Sequence, residues 1–88
     1  MKDSVYDFPV NMRAAKNTLR EQALVAMGEV AEAFAAIENG EGDMRVLEEL
    51  WDARQAIEGC MRRFPTANVK VARAAVKLKC RARGDYDG

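Results

Sequence analysis

Residues 18–43 read TLREQALVAMGEVAEAFAAIENGEGD, and their spacing decides the fold class. Apolar residues fill Ala23 to Ile37 with helical rather than alternating periodicity, which predicts a helix over about Leu19 to Glu38. Thr18-Leu-Arg-Glu21 fits the S/T-x-x-E capping box at its start. Asn39-Gly40-Glu41-Gly42 carries stop chemistry at its end. Downstream, Asp43 is a suitable N-cap for a helix over about Met44 to Phe64, closed by Pro65. Thr66 can cap a last helix over about Ala67 to Arg83, with Gly84 behind it. Upstream, a short helix from Val10 to about Lys16 is expected, the alternative being one helix running through Thr18. Residues 1–9 read as an extended lead-in held to the body by Phe8 and Pro9, and residues 84–88 as a mobile tail. Short connectors between long helices imply antiparallel neighbours. The expectation is one all-α domain over 1–88, a small antiparallel bundle of three to four helices.

The 88 residues are 49% hydrophobic, 7% aromatic and 32% charged, the composition of a globular chain. No apolar run approaches a membrane span, since Glu29 and Glu32 interrupt the longest one. Histidine is absent, which excludes Cys/His zinc sites and Ser-His-Asp or Cys-His nucleophilic arrangements. Cys60 and Cys80 are too few for a disulfide framework and read as reduced, buried thiols of a cytoplasmic protein. The 14 basic and 14 acidic residues cancel, but unevenly. Met1 to Cys60 carries 6 basic and 12 acidic residues, and Met61 to Gly88 carries 8 basic and 2 acidic.

On the third helix Val46, Leu50, Ala53, Ile57, Cys60 and Phe64 form one narrow apolar stripe, expected to face the second helix. The second helix has almost no polar face. In a chain this short such a helix calls for oligomerisation, a dimer or a tetramer. Met12, Met27, Met44 and Met61 read as core filler. Trp51 suits packing at a dimer interface or, alternatively, stacking on a base.

Glu29 and Glu32 are the only charges between Ala23 and Ile37, and they stand at i, i+3 on one helix face. Glu49 and Asp52 repeat the spacing at a comparable distance beyond the Asn39 to Asp43 turn. Antiparallel packing would bring both pairs to one groove. A group of carboxylates without nitrogen or sulfur ligands suits Mg²⁺ or Mn²⁺. The competing reading is a solvated acidic face. A di-iron bundle would need Glu-x-x-His, which is missing.

Gly28-Glu29-Val30-Ala31-Glu32, followed after sixteen residues by Glu49-Leu50-Trp51-Asp52, resembles the EExxE…ExxD signature of the MazG-like all-α nucleoside triphosphate pyrophosphohydrolases, in particular their compact, phage-type members. The resemblance spans about Leu19 to Phe64. It implies a helical homo-oligomer that holds Mg²⁺ through Glu29, Glu32, Glu49 and Asp52 and hydrolyses a nucleoside triphosphate to the monophosphate and pyrophosphate. The first glutamate of the signature is replaced by Gly28, which removes a fifth acidic group. No general base is identified beyond a spare carboxylate of the cluster.

Lys70, Arg73, Lys77 and Arg81 follow one another at i+3 and i+4 on the fourth helix, opposite Val71, Ala75 and Leu78. They read as a phosphate-binding set or as a solvated face. The acidic first sixty residues argue against a nucleic-acid partner. The alternatives to the enzyme are a silent nucleotide or metal binder of the same family and a non-enzymatic helical interaction module.

Overall fold

A computed structural model describes residues 4–87; the first three residues of the expected lead-in and the last of the expected tail lie outside the described residues. Among the described residues the chain is all-helical, with α1 (Met12–Lys16), α2 (Leu19–Glu38), α3 (Asp43–Met61) and α4 (Thr66–Ala82) and no strand. It divides into two compact units. Tyr6–Arg63 contains α1 to α3, and α4 belongs to the other. No helix among the described residues is long and apolar enough to cross a membrane.

Local chemistry sets the boundaries. The Asn11 side chain accepts from the backbone N–H groups of Arg13 and Ala14, so α1 starts at Met12 rather than Val10. Asn17 and Thr18 are extended, which separates α1 from α2. The capping box is complete: Glu21 N–H donates to Thr18 Oγ1 at 3.1 Å, and Thr18 N–H donates to Glu21 Oε1 at 2.7 Å. At the other end of α2, Gly40 takes φ +61° while its N–H donates to the Ile37 carbonyl and Glu41 N–H donates to that of Ala36. This is a Schellman stop, and it needs a residue at ease with positive φ.

Two expected caps are corrected. Gly42, at φ +93°, is the N-cap of α3, and Asp43 is already helical. Its carboxylate favours the first turn through the helix dipole instead of capping it. Pro65 caps α4 without a side-chain bond, and Thr66 lies inside the helix. The third helix also ends at Met61, short of Phe64, with Arg62 as its C-cap, and Pro65 keeps Phe64, directly ahead of it, from continuing the helix.

Gln22 Nε2, at the start of α2, donates to the Ala56 carbonyl late in α3 at 3.1 Å, while the turn joins the helices at the opposite end; the pair is antiparallel. Their seam is built from small side chains. Ala26, Ala33 and Ala36 are buried on α2, and Ala53 and Ala56 on α3. The expected stripe on α3 is therefore only partly inside. Ala53 is buried, Val46 and Cys60 are half-buried, and Leu50, Ile57 and Phe64 remain 47%, 41% and 49% exposed. Alanines on α2 allow close approach, so α3 turns its own small residues inward and its larger ones sit to one side. Met12, Met27 and Met44, expected as core filler, are exposed and fill no core. Both cysteines are free but half-buried rather than buried.

Glu58 anchors the lead-in. Its side chain is 2% exposed and accepts the N–H groups of Asp7 at 2.8 Å and Phe8 at 3.0 Å, while Arg54 pairs with it at 3.5 Å. Arg62 donates to the Phe8 carbonyl at 2.8 Å and stacks on Tyr6, and the Phe8 ring meets Trp51 edge to face. Arg63 donates to the carbonyls of Gly59, Ala14 and Asn17, tying the end of α1 to the end of α3.

Glu58→Ala strands two backbone N–H groups and is expected to lose about 3 kcal/mol in urea unfolding. Glu58→Gln, which keeps acceptor capacity, should lose less. Equal stability of the alanine variant and the parent protein would refute the anchoring role.

Candidate metal centre

The antiparallel seam brings together the carboxylates that the sequence separates. Glu29 and Glu32 lie on α2, one turn apart, and Glu49 and Asp52 lie on α3. One carboxylate oxygen from each of Glu29, Glu32 and Glu49 lies within 4.8 Å of the others. Asp52 is exposed and close enough to act electrostatically on Glu29. The Glu29 carboxyl is held above the ordinary glutamate range, first by partial burial and then by the negative charges of Glu32, Asp52 and Glu49 and a hydrogen bond with Glu32.

Glu49 stands in the seam itself, 5% exposed, rather than beside it. Its Oε1 pairs with Arg45 Nη2 at 2.6 Å, one helical turn earlier, and its buried Oε2 has no hydrogen-bond partner. Glu58, equally buried on the same helix, has both oxygens occupied by backbone N–H groups. A buried carboxylate oxygen without a partner is costly, and a hard cation is the kind of group that would satisfy it. The donors are all oxygens and carry several negative charges, which suits Mg²⁺ or Mn²⁺. Arg45 was not singled out from sequence, although its i, i+4 spacing to Glu49 makes the pair legible there.

At Gly28 a Cβ would meet nothing within 4 Å, so the position of the missing signature glutamate opens on free space. Lys70, Arg73, Lys77 and Arg81 are exposed on α4, in the other unit. Trp51 is half exposed, with Phe8 against its edge and Arg54 at 5.9 Å from its ring centroid. No family model, curated protein or solved structure matches the chain. The resemblance to the MazG-like enzymes therefore rests on the residues themselves.

A carboxyl with a raised folded-state pKa destabilises the fold above that pKa, and the penalty disappears as pH falls through it. Glu29→Gln should thus raise the melting temperature of the metal-free protein at neutral pH. Its advantage should shrink on acidification, and it should abolish any stabilisation by Mg²⁺. Thermal melts across pH, with and without Mg²⁺, check this; a variant less stable than the parent at neutral pH would contradict the crowding of charge at Glu29.

Proposed function

We propose that the protein is a Mg²⁺-dependent hydrolase that converts a nucleoside triphosphate to the monophosphate and pyrophosphate, acting in the cytoplasm. The observation that carries the reading is the convergence of Glu29, Glu32 and Glu49, with one buried Glu49 oxygen lacking a partner. Glu29, Glu32, Glu49 and Asp52 would hold the metal. Divalent ions bound there supply neutralisation of the triphosphate and acidification of a water.

In the reaction, the oxygen of water bonds to the α-phosphorus while the bond from that phosphorus to the bridging oxygen of the β-phosphate breaks. Pyrophosphate leaves, and the water proton passes to a cluster carboxylate oxygen that is not on the metal. The Arg45 pair holds Glu49 in place, so the ligand is set before substrate arrives.

A second copy of the chain belongs to this reading. On α2 the helical spacing places Val30, Phe34 and Ile37 on the flank of the seam away from Glu32, and on α3 it places Leu47, Leu50 and Ile57 away from Asp52. All six are exposed, Phe34 by 61%. Such a face on a small protein marks an interaction surface. It is also the observation that favours the interaction-module alternative.

Glu49→Ala should keep its helical circular dichroism and lose Mg²⁺-dependent pyrophosphate release from a panel of nucleoside triphosphates. Unchanged turnover would remove the assignment, and no turnover in the parent protein would favour a silent binder or an interaction module. Gly28→Glu has room for its Cβ and should gain about 0.5 kcal/mol from helix propensity. Its turnover should rise, whereas Gly28→Ala should gain stability without turnover.

A further inference from the structure

Beside the carboxylates lies a cleft of about 380 Å³, within the ~300–1,000 Å³ range of small-molecule pockets. Glu29 and Asp52 line one part of it, and Asn11, Arg13, Asn17 and Gln55 line another. The hydrogen bonds among these residues fix which way each side-chain amide points. Asn11 Oδ1 accepts two backbone N–H groups as the cap of α1, so its Nδ2 must be the donor to Gln55, at 3.2 Å from Oε1. The Gln55 Nε2 group is then left as a donor without a partner among the described residues.

Gln22 is fixed in the same way. Its Nε2 donates to the Ala56 carbonyl, so its Oε1 accepts from Asn17 Nδ2 at 2.9 Å. Asn17 Oδ1 is left as an uncommitted acceptor. Arg13 is exposed on α1 and has no ion pair among the described residues. The cleft thus offers a donor and an acceptor of fixed polarity, a cation and a carboxylate edge. These are the groups that recognise a nucleoside joined to an anionic phosphate chain.

We propose that this cleft is the nucleoside pocket of the enzyme, with Gln55 Nε2 and Asn17 Oδ1 hydrogen-bonding the base or sugar and Arg13 meeting the phosphates. The assignment rests on the hydrolase reading above, but a different set of residues carries it. Gln55 and Asn17 are positioned before any ligand binds, because the N-cap of α1 and the backbone of α3 hold their partners. Specificity would then follow from the fixed polarity of the pair, since a ligand edge of the reverse polarity leaves both groups unpaired.

The test compares an α,β-methylene nucleoside triphosphate with inorganic tripolyphosphate, both with Mg²⁺, by calorimetric titration. Gln55→Leu should weaken the nucleotide analogue about tenfold, the loss of one good hydrogen bond, and leave tripolyphosphate unchanged. Arg13→Ala should weaken both. Equal weakening of both ligands by Gln55→Leu, or none, would overturn the pocket. Because Gln55 is half-buried, amide shifts in the parent protein provide a second measurement, and free nucleoside should move Asn17 and Gln55. If Mg²⁺ stabilises the protein and tripolyphosphate binds while the nucleoside part adds no affinity, the pocket fails alone. If nucleoside shifts the cleft but Mg²⁺ and tripolyphosphate have no effect, the metal reading fails and the pocket stands.

Discussion

Close approach of α2 and α3 through alanine is the constraint on which the rest of the Tyr6–Arg63 unit depends. Ala26, Ala33 and Ala36 face a helix whose own buried positions are Ala53 and Ala56. Side chains this small let the two backbones come near each other and leave no room for leucine, methionine or phenylalanine between them. Val30, Phe34, Ile37, Leu47, Leu50 and Ile57 stand on one flank, Glu32 and Asp52 on the other, and Glu49 in the seam between them. A seam of leucines would hold the helices farther apart, and Glu29, Glu32 and Glu49 would lose the proximity that makes them a possible cation site.

The same seam creates an electrostatic cost. Two glutamates on α3 are almost fully buried, and the protein treats them differently. Glu58 has backbone N–H groups on both oxygens and an arginine beside it, so its burial serves to fasten the lead-in. Glu49 has one oxygen on Arg45 and the other on nothing among the described residues, with Glu29 and Glu32 nearby. A stability role accounts for the first arrangement and not for the second. Leaving a carboxylate oxygen buried and unpaired beside like charges is the kind of local conflict that persists where a ligand relieves it.

Much of this was legible in the sequence, for reasons that differ between elements. The start of α2 is written in Thr18 and Glu21 and its end in Asn39 and Gly40, so local chemistry alone sets both boundaries. The convergence of Glu29, Glu32 and Glu49 followed from their spacing and from a short turn. The rotation of α3 did not follow, because hydrophobic periodicity favours Leu50 and Ile57 for the inside, whereas the fit to an alanine face selects Ala53 and Ala56. Glu58 was invisible for a similar reason. Nothing in its neighbourhood distinguishes it from a solvated glutamate, and its partners Asp7 and Phe8 lie some fifty residues away in sequence. The bonds from Asn11 to Gln55 and from Gln22 to the Ala56 carbonyl likewise join distant positions and have no local signature.

An alanine seam gives up much of the apolar burial that a helix pair normally contributes, since the area removed from water per residue is small. Stability within Tyr6–Arg63 must therefore draw on polar fastening. The fastening is evident: Arg62, Arg63, Glu58 and Gln22 each bind backbone groups of another segment. The flank is where Val30, Phe34, Ile37, Leu47, Leu50 and Ile57 stand, on the side of the seam away from Glu32 and Asp52. This separation matters for function. A partner that covered the apolar flank would leave the carboxylates and the cleft beside them open. Association would instead hold the seam closed, and it is the closed seam that keeps Glu49 next to Glu29. Oligomerisation and cation binding would then reinforce each other through the packing of α2 on α3, without any residue belonging to both sites.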